Sequence, residues 1–336
     1  MDKMNLDPEI IDRVKKLAAK YDAMGQDILS YLDGLLYADY LTYWDYIDLD
    51  VLLTLQKPKT SFPDETIFIV YHQITELYFK LSLHELHQIC HNGKIIQKNG
   101  KDAGWNDSLN VEFFIARLKR INKYFLSLIQ SFEIMVQGME RDQFLRFRMA
   151  LLPSSGFQSF QYRKIEVVCT DFHNLIDKNK REELATEKDI EKLYQNIYWK
   201  KGATELATGK KTLTLRQFEE KYSNHLILTA KKYSDKNLWV KYLELKSKDK
   251  ENSELIDELK QLDINVNINW PLMHYKSAVR YLQQNPETIA ATGGTNWQKY
   301  LPPRFQKRIF YPELWSKKEK EEWGKSWVED LNIYKN

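Results

Sequence analysis

Two cysteines, Cys90 and Cys169, are all the thiol that 336 residues contain, and their spacing suits neither a disulfide framework nor a thiolate zinc site. So low a content points to a reducing compartment, and the chain reads as cytosolic. Long apolar runs are missing as well. The most apolar segment, around residues 67–83, is interrupted by Tyr71, His72, Glu76 and Lys80, so no membrane span is expected. At the N-terminus, acids and lysines break up every apolar stretch, which argues against a secretory signal. Nor is there an excess of charge of one sign: 50 Lys and Arg face 47 Asp and Glu, for a net charge of +3. Such a balance gives no electrostatic footprint for nucleic acid. Glycine (12) and proline (9) are sparse, so the turns that a β-rich fold needs are lacking.

What is present is a large apolar fraction, 43%, with 13% aromatics, enough to bury a substantial core. Apolar residues recur mainly at intervals of three and four, the helical period, so the expected class is all-α. The clearest stripe runs through 109–138: Val111, Phe114, Ile115, Leu118, Ile121, Phe125, Leu128, Phe132 and Met135. A second helix is expected from about Asp64, taken as its N-cap, to the His91-Asn92-Gly93 stop. Further helices are expected at 9–21, 26–39, 141–151, 158–178, 184–197, 214–222, 224–247, 252–262 and 271–284. The chain reads as one helical domain over 1–336. Its lysine-rich stretch at about 179–252 reads as a solvated helical insertion, and 42–61 as an aromatic connector ending at Lys57-Pro58. No internal repeat is found.

Four of the seven histidines fall within 72–91. His84, His87 and His91 share a helix face, but His84-Glu85-Leu86-His87 is not the HExxH zinc arrangement, and this face reads as exposed surface. His72 lies on the apolar side, where an imidazole needs a partner or a task. His274 sits among Trp270, Leu272 and Met273, behind Pro271 and Asn269. It reads either as a satisfied core residue or as a haem ligand walled by apolar groups. Arg146 and Arg148 lie on a short apolar helix before Pro153-Ser154-Ser155-Gly156. A desolvated guanidinium there pairs either with a core glutamate or with the carboxylate or phosphate of a ligand. The Ala291-Thr292-Gly293-Gly294-Thr295 loop lacks the Gly-Lys-Ser/Thr of a phosphate loop and follows no strand.

Taken in order, these segments resemble the tryptophan 2,3-dioxygenase family: Thr42-Tyr43-Trp44-Asp45-Tyr46-Ile47, Phe68-Ile69-Val70-Tyr71-His72-Gln73-Ile74-Thr75-Glu76-Leu77, Phe147-Arg148, Pro153 to Ser159, and Tyr162-Arg163-Lys164-Ile165-Glu166. The segments Trp270 to His274, Thr292 to Thr295 and Phe310 to Trp315 extend the match, which spans roughly residues 20–316. The resemblance implies a helical bundle holding haem b, with His274 as axial ligand of the iron and with Trp270 and Ser155 beside the porphyrin. It also implies a distal pocket in which His72 accepts a hydrogen bond from the indole N–H of L-tryptophan and Phe68 packs on the ring. Arg148 and Thr292 would hold the amino-acid end, and O2 would be the second substrate. Tyr43, Tyr46 and Ile47 would close the pocket of a neighbouring subunit in a homotetramer. This chain departs from the family in having Phe144 where a tyrosine is usual, one turn before the arginine, which implies one hydroxyl contact fewer to the substrate carboxylate. Pro271-Leu272-Met273 also stands where basic residues are common. The expected reaction is cleavage of the indole C2–C3 bond to N-formylkynurenine, the first step of tryptophan catabolism by the kynurenine route. The alternatives are oxygenation of another indole or aromatic amino acid, by one oxygen atom or two, and a cofactor-free helical scaffold.

Overall fold

In a computed structural model that describes residues 6–205, 210–282 and 303–324, the chain is helical apart from one short hairpin. It divides into two units, one ending at Gln56 and the other starting at Lys57. The first holds α1 (Pro8–Ala23), α2 (Ile28–Leu36) and the single turns α3 (Tyr43–Tyr46) and α4 (Leu49–Leu52). Its helix starts are set by side-chain caps: Asp7 accepts from the Glu9 N–H at 2.8 Å and Asp27 from the Leu29 N–H at 3.1 Å. None of the residues in these four helices is buried.

The second unit runs through α5 (Asp64–Cys90), β1 (Lys94–Ile96), β2 (Asp102–Trp105), α6 (Val111–Ser131), α7 (Glu133–Gln137), α8 (Arg141–Phe147) and α9 (Phe160–Cys169). It continues with α10 (Ile190–Gln195), α11 (Tyr198–Gly202), α12 (Leu213–Tyr233), α13 (Leu238–Leu243), α14 (Ser247–Lys250), α15 (Ser253–Ile264) and α16 (Trp270–Leu282). No helix among the described residues is long and apolar enough to cross a membrane.

The α6 stripe read from the sequence is the inner wall of the bundle, with Phe114, Leu118, Ile121, Phe125 and Leu128 fully buried against α5 and α15. Each such side chain contributes about 1.5–3 kcal/mol on burial, far more than the differences in helix propensity along the segment. The start of α5 differs from expectation, because Asp64 is its first helical residue rather than its cap. Asp64 is used across the fold instead: its Oδ2 accepts from the Glu140 N–H at 2.5 Å, and its own N–H donates to Gln143 Oε1 at 3.2 Å. The preceding turn is held by the buried Glu65 carboxylate, which accepts from the Lys59 and Thr60 N–H groups, each at 2.7 Å.

The helix expected over 158–178 ends at Cys169, because Thr170 turns extended and its hydroxyl donates to the Phe310 carbonyl. The two helices expected at 214–222 and 224–247 are one to Tyr233, followed by a break at Asn237, which caps α13. The polar stretch at 179–252 contributes Leu193, Tyr194, Trp199, Leu215, Phe218, Leu226, Tyr233 and Trp239 to the same core cluster as α5 and α6. Between α15 and α16 the chain widens into a π-helical turn, Asn265–Asn269. The Val266 carbonyl in this turn accepts from Tyr162 Oη at 2.9 Å and Arg308 Nη2 at 3.2 Å.

Candidate active site

α5 and α8 bring the first group together. Phe68 lies 4.2 Å from the His72 ring, 6.2 Å from Phe144 and 5.7 Å from Phe147, centroid to centroid, and Arg148 follows directly on Phe147. Of the two arginines the sequence offered, Arg146 is exposed and Arg148 is buried. Burial alone lowers the Arg148 pKa, the mark of a guanidinium taken out of water. Phe144 is half-buried and lies against Tyr281 at 4.6 Å, whose hydroxyl donates to the Met139 carbonyl at 3.3 Å.

A second group gathers around α16. The His274 ring lies 4.7 Å from Phe132 and 4.5 Å from Trp270, and Trp270 in turn packs on Phe79 and Phe132. Tyr71, next to His72, meets Phe132 edge-on at 5.8 Å, so the two groups share a wall.

Each histidine has the same local arrangement. His72 Nδ1 lies 2.7 Å from the Phe68 carbonyl, and His274 Nδ1 lies 2.9 Å from the Trp270 carbonyl, in both cases four residues back on its own helix. A carbonyl can only accept, so each Nδ1 carries the proton and each Nε2 keeps its lone pair. Burial lowers both pKa values. That of His274 falls to about 4, with the Trp270 carbonyl raising it and the nearby His72 and Arg163 lowering it further. Both rings are therefore neutral near pH 7, and they lie close enough for one to perturb the other. Both residues are only half-buried although the rings are desolvated, as expected of groups that line a recess rather than the outer surface.

The loop after Arg148 is closed by a reciprocal cap. Ser155 Oγ accepts from the Phe157 N–H at 3.3 Å, and Gln158 Oε1 accepts from the Ser155 N–H at 3.3 Å. Gln158 and Thr214 then tie the loop to α12. Beneath it lies Arg163, which the sequence reading gave no role of its own. Its guanidinium sits over the rings of Phe157 (5.1 Å) and Trp199 (5.5 Å), and Nη1 donates to Glu166 (3.1 Å) and Tyr198 (2.9 Å). Its buried Nε–H has no partner among the described residues. A buried arginine in an apolar helix was the available signal.

Tyr43 and Tyr46 are 70% and 76% exposed, and Ile47 is half-exposed. Thr292, the other expected substrate contact, lies outside the described residues.

A model of the family described as tryptophan 2,3-dioxygenase matches residues 35–277. The chain belongs to that family. A protein of Ruegeria sp. (strain TM1040) named tryptophan 2,3-dioxygenase is 39% identical over 132 residues, 39% of this chain and 42% of that protein. Proteins of the same name from Bacillus cereus (strain ATCC 10987 / NRS 248) and Ralstonia pickettii (strain 12J) are 38% identical over 126 residues and 36% over 128. They are covered to 40% and 41% of their own lengths, so the chain spans about two-fifths of the curated relatives it matches. Within the family frame the helical class read from the sequence holds, since the hairpin is the one sheet among the described residues.

Proposed function

We propose that the chain is a haem-dependent tryptophan 2,3-dioxygenase, joining L-tryptophan and O2 into N-formylkynurenine. The observation that carries this reading is the pair of neutral imidazoles, His72 and His274, each with Nδ1 tied to a main-chain carbonyl and Nε2 left unbonded among the described residues. The residues fit an iron porphyrin. His274 Nε2 suits the iron, Phe132 and Trp270 supply apolar walls, and the orphaned Nε–H of Arg163 suits a propionate. When bound there, the haem supplies a ferrous iron that activates O2.

The protein's part is then to bind and orient. The Arg148 guanidinium clamps the substrate carboxylate, with Thr292 assisting at the amino-acid end. Phe68 packs on the indole. His72 Nε2, an acceptor, takes the hydrogen bond of the indole N–H, which fixes which edge of the ring meets the oxygen. Both oxygen atoms enter the product and the C2–C3 bond breaks, so atoms balance with no further reductant and no net proton change. His72 therefore has no proton to keep.

Assembly into a homotetramer, with Tyr43, Tyr46 and Ile47 completing a neighbour's pocket, belongs to the same reading. It is supported by a first unit with no buried residue in its four helices and by Ile74, Leu77 and Leu81, 40–49% exposed along one face of α5. We place the protein in the cytoplasm on its cysteine content.

The deciding experiment is turnover of L-tryptophan by the haem-loaded, reduced protein under labelled O2, with the product weighed. Two labelled oxygens in N-formylkynurenine are expected. One labelled oxygen, or turnover only of another aromatic substrate, overturns the assignment. Sedimentation of the full chain tests the assembly, and a monomer at micromolar concentration would refute it.

A further inference from the structure

The histidine face of α5 that reads as plain surface in the sequence is partly covered in the structure. His84 is exposed, but His87 and His91 are half-buried, because the hairpin lays Trp105 on them at centroid distances of 5.2 and 5.1 Å. The two imidazoles are 4.2 Å apart, and His87 Nδ1 lies 3.3 Å from the Tyr233 hydroxyl of α12. Cations converge on this spot from other helices: Lys164 of α9 and Lys232 of α12 both bear on His87, and on each other. Lys236 and Lys241 bear on His91, though Lys241 is already paired with Glu244 at 2.7 Å. Lys94 lies 4.9 Å from the Trp105 ring centroid, paired with Asp102.

No acid offsets the centre of this cluster. Among the described residues neither Lys164 nor Lys232 has a carboxylate partner, and no acid counts among the influences on His87 or Lys164. Burial of Lys164 lowers its pKa, and burial together with the surrounding positive charge lowers that of His87 to about 4. His91 donates its Nδ1–H to the His87 carbonyl at 2.8 Å, so it offers the site a ring face rather than a donor. With Tyr233 donating to His87 Nδ1, the His87 Nε2–H is left to donate outward. Two lysines and one N–H donor from three helices, desolvated and without a counter-charge, are costly to gather unless an anion is taken up. A metal cation is disfavoured by the same lysines, and no group of three or more potential ligands occurs among the described residues.

We propose that Lys164, Lys232 and His87, walled by Trp105 and His91, form a binding site for a small oxyanion, a phosphate or a carboxylate, separate from the haem-dependent reading above. The test is calorimetric titration of the full chain with inorganic phosphate and, separately, with benzoate, at constant ionic strength. Saturable binding of one anion per chain is expected, weakened about tenfold or more in Lys164→Met and in Lys232→Met and retained in Lys164→Arg. Tighter phosphate binding identifies a tetrahedral ligand, and tighter benzoate binding identifies a carboxylate stacked on Trp105. The His87 ring, followed by carbon NMR, is expected to titrate at higher pH when the anion is present. Lys232 is exposed, so its variant keeps the test open if Lys164→Met does not fold. Absence of saturable binding by either anion, or equal binding in both methionine variants, overturns the site.

Discussion

Replacing Arg148 by methionine removes a guanidinium while keeping a long apolar side chain in a buried position. A paired, desolvated charge that loses its partner costs about 3–5 kcal/mol, because the remaining charge is stranded away from water. Here the stranded charge would be the substrate carboxylate. The expected loss in kcat/KM for L-tryptophan is therefore on the order of a hundredfold to a few thousandfold, at about 1.4 kcal/mol per factor of ten. The clean measurement is a cycle in which the second perturbation is made on the substrate. Tryptamine has the indole and the amine but no carboxylate, so the variant should handle it about as well as the parent does. Exposed Arg146, changed to methionine in parallel, should leave both substrates untouched. If Arg148→Met slowed tryptamine and tryptophan equally, with haem content preserved, the guanidinium would be supporting α8 rather than holding the substrate, and the clamp would be refuted.

Phe144→Tyr should restore the hydroxyl contact that this chain lacks and lower KM about tenfold to a hundredfold, since a hydrogen bond to a charged group is worth about 1.5–3 kcal/mol; an unchanged KM would show that the ring does not reach the carboxylate. Because burial lowers the His72 pKa, the ring stays neutral above its ordinary range, so kcat/KM should be flat from pH 6.5 to 8 and fall only on further acidification. A fall centred near pH 7 in steady-state assays would contradict that. Methylating the indole nitrogen of the substrate should cost about 0.5–1.5 kcal/mol in the parent and nothing in His72→Ala. Burial raises the Asp263 carboxyl to about 6, despite donation from Phe310, Asn267, Trp315 and Tyr311. The unfolded chain ionises there near 4, so folding takes up a proton between the two values and this group's contribution to stability declines as pH rises from about 4 to 6. Asp263→Asn should abolish that slope in urea unfolding measured at pH 4.5 and 7. It should also be less stable at both, because its amide N–H groups would face donors.

Much of the scaffold could be read from residue order. The α5 and α6 stripes repeat without interruption, and only the ends of these helices were misjudged, because a carboxylate such as Asp64 caps a helix or bridges two segments with equal local plausibility. α12 was split because Ser223-Asn224-His225 resembles a stop, whereas Leu226 and Ala230 continue its buried face. The hairpin was missed although Asn99-Gly100 is a strong turn signal, since strands of three and four residues leave no periodicity to detect. At the candidate site, the motifs named the residues but not their states. The tautomers of His72 and His274, the unequal burial of Arg146 and Arg148 and the orphaned Arg163 N–H depend on neighbours distant in sequence. The cationic cluster was least legible of all, since its members lie on α5, α9 and α12.

The bond from His274 to the Trp270 carbonyl sets a limit on what point mutation can achieve at this imidazole. A side-chain partner could be exchanged, and a carboxylate in that position would draw the Nδ1 proton and make the ring a stronger electron donor. A main-chain carbonyl is present whatever residue occupies position 270, so no substitution there removes the acceptor. The donor strength of the ring is thus written into the winding of α16 and can be edited only by unwinding it. An engineer seeking a different iron chemistry in this scaffold would have to work on the backbone, starting from the π-helical turn that feeds α16, rather than on the residues around the ring.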